Sequence, residues 1–177
     1  NQMNKKSTVA VFPFEHAEVS DLNSDGYNPE ILNRAINDYH KYLHYYVEGL
    51  SKANSPYAHH TVGSTMSFDF DAYAKVRGYP KREAGEDFYL LNKLSKLGSV
   101  ENLDLSPITL QGRPSDRVPF GTGQANRKLY ELYQAGQEFQ VYHPNCFKVL
   151  EAYLNCARAY YDDLDEFYFF LSLDDQC

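Results

Sequence analysis

Residues 63–97 read G-S-T-M-S-F-D-F-D-A-Y-A-K-V-R-G-Y-P-K-R-E-A-G-E-D-F-Y-L-L-N-K-L-S-K-L, and their order decides the fold class. After a Gly-Ser-Thr turn, Met66, Phe68 and Phe70 alternate with polar residues, which predicts a half-buried strand over 66–70. Gly78 and Pro80 break the pattern. Phe88, Leu90, Leu91, Leu94 and Leu97 then recur at helical spacing, with Gly98 expected to close the helix. Strand, break and helix in that order predict an α/β chain, helix-rich, with a small mixed sheet flanked by helices. Glu86 and Asp87 fall in the first turn of the helix. There the unpaired backbone N–H groups and the dipole favour ionised carboxylates. Two readings follow: an ordinary helix cap, or a general base at the mouth of a loop.

The segments on either side extend the pattern. T-V-A-V-F-P-F at 8–14 predicts a buried strand that Pro13 closes or places at a sheet edge. Residues 16–27 turn polar and read as a loop. Asn28 and Pro29 suit the N-cap and first position of a long helix over 28–50, weakened at its end by Gly49. Val100, Leu103, Leu105 and Ile108 suggest extended chain, and residues 126–177 read as helices broken at His143-Pro144-Asn145. Two regions are therefore expected, 1–125 and 126–177.

The tyrosine-rich helix, Ser55-Pro56-Tyr57, Gly63-Ser64-Thr65, Gly78-Tyr79-Pro80 and Gly85-Glu86-Asp87 follow one another in an order that resembles the acceptor half of family 2 glycosyltransferases of the GT-A fold. G-R-P-S-D-R-V-P-F-G-T-G at 112–123 continues the likeness, which covers about two thirds of the chain. The resemblance implies a partial GT-A-like fold and transfer of a sugar, with inversion, from a nucleotide-sugar to an acceptor hydroxyl. It implies Asp87 as the base, with Glu86 beside it. Gly63, Ser64 and Thr65 would lie near the sugars, while Arg113 and Arg117, with Ser115 and Asp116, would lie on a mobile loop near the donor diphosphate. The donor sugar, its nucleotide and the acceptor are not given by the sequence.

The likeness has a gap. A complete GT-A enzyme begins with alternating strands and helices that hold the nucleotide, and a single strand is expected here before the first long helix. The chain also begins with Asn, which favours a cut product. The expectation is an acceptor-side portion, inactive alone, for which a divalent metal is implied only in the intact enzyme. Asp69-Phe70-Asp71 spells the D-x-D of metal-dependent transferases, but follows the Gly-Ser-Thr turn, where the family has a plain junction; it is read as a decoy.

Other features bound the alternatives. A net charge of −7 lacks the basic footprint of a nucleic-acid binder. Three cysteines without C-x-x-C spacing suggest reduced thiols and a cytoplasmic setting, and no apolar run approaches the ~20 residues of a membrane span. His40 and His44 share a helix face at a metal-compatible spacing, with no third ligand evident; exposed histidines are the plainer reading. Of the adjacent His59 and His60 only one could face a shared site. Sixteen tyrosines and an acidic, aromatic C-terminal tail support the other function class, a non-catalytic helical module that binds a protein. Unpaired sheet edges would allow self-association.

Overall fold

In a computed structural model the protein is a mixed α/β chain with small sheets flanked by helices. The structure describes residues 6–20, 26–115 and 121–174, and side chains as far as residue 161. Contacts divide it into two units, residues 1–45 with 59–140, and residues 46–58 with 141–177. The expected division at 125/126 falls inside a helix whose Asn126, Leu129 and Tyr130 are buried in the first unit.

The first unit is built on a parallel ribbon. Strand β1, Ser7–Val11, pairs in parallel with β4, Ser99–Asn102, and antiparallel with β3, Met66–Phe68. Strand β2, Phe14–Ala17, pairs in parallel with β5, Ile108–Gln111, as a separate two-stranded sheet. The strand expected over 8–14 is thus two strands, because Pro13 has no N–H to continue the ladder. The break is bridged by Leu103 N–H to Val11 O (2.9 Å) and Ile108 N–H to Pro13 O (2.8 Å).

Helix α3, Glu86–Leu94, covers the three-stranded sheet: Leu90, Leu91 and Leu94 are buried with Val9, Val11 and Ala72. The helix ends earlier than its apolar spacing suggests, at Leu94 with Ser95 as C-cap. Gly98 serves a different purpose from helix closure: a Cβ there would lie 2.2 Å from Lys6 O, so glycine permits β1 and β4 to begin side by side. The expected strand over 66–70 stops at Phe68. Asp69 caps the short helix α2, Phe70–Lys75, by accepting from Ala72 N–H, which turns Phe70 out to 82% exposure.

Helix α1, Pro29–Lys52, begins as the sequence suggests, with Asn28 Oδ1 accepting from Ile31 N–H at 3.2 Å. Its Leu32, Ala35 and Ile36 pack with Val19 and with Leu129 and Tyr130 of α4, Thr122–Gln134. Tyr133 of α4 donates its hydroxyl to Asp38 at 2.7 Å and lies under the Arg34 guanidinium. In the second unit, α5 runs Asn145–Asp174. Gly49 there is a packing position as much as a weak helix former, since the Phe147 ring occupies the place a Cβ would take. Cys146 and Cys156 are free and exposed; Cys177 and the acidic tail's side chains lie outside the described residues.

Candidate functional site

The Gly-Ser-Thr turn and the Glu-Asp helix meet. Gly63–Thr65 forms a single 3-10 turn, and Gly63 N–H donates to Asp87 Oδ2 at 3.2 Å. Phe88 N–H donates to Asp87 Oδ1 at 2.8 Å, so each carboxylate oxygen has a backbone partner. A Cβ on residue 63 would stand 3.3 Å from both Cβ and Oδ2 of Asp87, tighter than almost all real contacts. Glycine therefore brings the turn close to this carboxylate. Asp87 is not the helix cap: Gly85 is, in a left-handed conformation (φ 69°) with no side-chain bond.

The electrostatic expectation is corrected here. The amides of Phe88 and Gly63 do favour the carboxylate, but burial outweighs them, and Glu86 beside it adds like charge. Asp87 consequently holds a proton more readily than a free aspartate. Glu86 itself is exposed. Ser64 is exposed, whereas Thr65 is fully buried and donates its hydroxyl to Val62 O at 2.9 Å, within the turn's own framework.

Tyr79, part of the Gly78-Tyr79-Pro80 motif, responds to the charge of the Glu-Asp pair. Burial is the main cause of its raised pKa, followed by the fields of Asp87, Tyr73 and Glu86. Its side chain packs edge-on to Phe68 and Tyr73. Gly78-Tyr79-Pro80 is part of the sequence pattern, but nothing in its spacing marks the tyrosine as a site residue. A half-buried carboxylate held by two amides can accept a proton from a hydroxyl and orient its oxygen.

Arg113 is exposed and follows β5 in the two-stranded sheet. Ser115 N–H donates to Gly123 O at 3.1 Å, closing the loop's ends, and Gly123 packs on Ser115 as part of α4. Asp116 and Arg117 lie outside the described residues.

Asp69 of the D-x-D is engaged otherwise: Lys6 Nζ donates to Oδ2 at 2.6 Å and Ala72 N–H to Oδ1 at 3.0 Å. Asp71 stands in the first turn of α2 and is exposed, so the two no longer share the strand face that a metal pair needs. Among the described residues no three His, Cys, Asp or Glu side chains converge as a metal-ligating set. Among the described residues, Asp69 and Asp71 do not fit a divalent metal. His40 and His44 are not a solitary surface pair either; they join His16 and His60 around Phe14.

Comparison with family models, with curated proteins and with solved structures finds no match to this chain. No helix among the described residues is long and apolar enough to cross a membrane.

Proposed function

We propose that this chain carries the acceptor side of a GT-A-like nucleotide-sugar transferase, with Asp87 as its general base. Asp87 takes the proton from an acceptor hydroxyl as that oxygen attacks the anomeric carbon. The bond from that carbon to the nucleoside diphosphate breaks on the opposite face, which inverts the centre. Glu86 raises the basicity of Asp87, Ser64 offers a hydroxyl to the sugar, and Arg113 with Arg117 would steady the departing diphosphate.

The observation that supports this reading is the Gly63–Asp87 hydrogen bond. It joins the two halves of the sequence pattern on one carboxylate whose proton affinity is raised by burial, the property a base requires. The test is release of nucleoside diphosphate, with and without candidate acceptors, from a panel of uridine and guanosine diphosphate sugars. The polypeptide that carries this chain should turn over at least one donor; no release across the panel contradicts the proposal.

One observation favours the second reading, a protein-binding helical module. Val149, Tyr153 and Tyr160 lie along one face of α5 at 64–70% exposure. A module of that kind would leave Asp87 without a chemical task, which the Asp87 substitution described below decides.

A further inference from the structure

Phe14 is the centre of a histidine cluster that the proposed reaction does not use. The ring is buried at 4% exposure, and four imidazoles surround it. His16, two residues on in β2, lies at 5.8 Å between ring centroids, His40 and His44 of α1 at 5.3 and 5.9 Å, and His60 at 5.3 Å. The imidazoles also touch in series: His16 to His40 at 5.6 Å, His40 to His44 at 4.5 Å, His44 to His60 at 4.6 Å. Three separate segments of the first unit are therefore joined through one set of rings. They are β2, helix α1, and the stretch 59–62 that leads into the Gly63 turn.

The packing suits neutral imidazole and penalises imidazolium. Among the described residues, Nδ1 of His16 and Nδ1 of His40 are buried with no hydrogen-bond partner, so a proton added there finds no acceptor in them. The groups facing the cluster are mostly more imidazoles, including His59 beside His60. Glu15 is the carboxylate that favours charge on His40, and its Oε1 also accepts from Thr109 Oγ1 at 3.1 Å. A second proton would place two cations within contact distance of each other.

We infer that the cluster is an acid-released latch: neutral, it holds residues 59–65 against α1 and β2, and on protonation it lets that segment go. The consequence reaches the candidate site through the backbone, because Gly63, three residues beyond His60, donates to Asp87. Acidification would then loosen the turn that positions this carboxylate. The inference does not depend on the transferase reading, since it concerns the segment's opening and not a reaction.

The sign follows from burial, the largest cause lowering His16, His40, His59 and His60, the last to about 4. These groups bind fewer protons folded than unfolded. The stability they lend is complete above the unfolded value near 6.5 and is lost as pH falls toward the folded values. For His60 alone the opening constant should rise roughly 30-fold at pH 5 relative to pH 7.5.

Amide hydrogen exchange followed by mass spectrometry, corrected for intrinsic rates and run in chelator-containing buffer, reads this directly. Wild type should show that rise in peptides spanning 59–66, while peptides from β1 and α3 stay protected. His60→Phe keeps a ring in place but cannot be charged, so the acid rise in its 59–66 peptides should be clearly smaller than in wild type. Equal pH dependence in wild type and His60→Phe, or a flat profile in wild type, would overturn the latch. Should the variant fail to fold, histidine proton resonances of the wild-type chain decide: midpoints of His16, His40 and His60 well below 6.5 support it, and ordinary midpoints overturn it.

Discussion

The backbone N–H of Gly63 and the side chain of Asp87, 24 residues apart, are joined by a 3.2 Å hydrogen bond, and glycine is what lets them approach. An alanine Cβ would press on both Cβ and Oδ2 of the aspartate at 3.3 Å, so the carboxylate must yield by a few tenths of an ångström. Gly63→Ala should lower kcat about 3–10-fold, a fraction of what a full ångström of misplacement costs, with the melting temperature little changed. Ser64→Ala, one residue on and exposed, should leave the melting temperature unchanged and raise KM with kcat little changed. Steady-state kinetics and thermal melts of both variants check this pair.

The pH profile carries a second expectation. Burial first, and then the charge of Glu86, raise the Asp87 pKa above its ordinary 3.8. A base works when deprotonated, so the acid limb of kcat/KM should lie above that value. Glu86→Gln removes a like charge and should move the limb to lower pH, by less than the full displacement because burial remains. A limb unmoved by Glu86→Gln would mean that another group titrates.

Gly98 offers a test of the fold without chemistry. Its missing Cβ makes room for Lys6 O and for Thr8, whose hydroxyl donates to Leu94 O at 3.0 Å. The clash in Gly98→Ala is with backbone, which cannot rotate away. The substitution should cost about 1–3 kcal/mol, in the range of overpacked cores, and lower the melting temperature by several degrees. Denaturant unfolding of Gly98→Ala checks it; full wild-type stability would mean that β1 and β4 do not start side by side.

The sequence spoke clearly where one local rule acted alone. Asn28-Pro29 starts α1, and the apolar spacing after Glu86 marks α3, because capping and helical periodicity need only neighbours in the chain. It misled where two local rules compete. Phe70 continues the alternation of Met66 and Phe68, yet Asp69 caps a helix and ends the strand first. Pro13 likewise turned one apolar run into two strands that pair in different sheets. Of the site, the Glu-Asp pair and the Gly-Ser-Thr turn were legible as a pattern, but the proton affinity of Asp87 was not, since burial is a property of the assembled fold. The ring of histidines was hidden for the same reason: His16, His40 and His60 come from three distant segments and share no spacing rule.

The central claim is that the carboxylate of Asp87 accepts a proton, and Asp87→Asn addresses it most directly. Asparagine keeps the shape of the side chain and an oxygen able to accept from Gly63 or Phe88, but it cannot serve as a base. The measurement is turnover together with melting temperature, in the polypeptide that carries this chain. The account predicts a fall in kcat of about 10²–10⁴-fold, with the melting temperature lowered by only a few degrees because one of the two amides loses its acceptor. Turnover equal to wild type would contradict it and leave Asp87 as a structural residue of the turn.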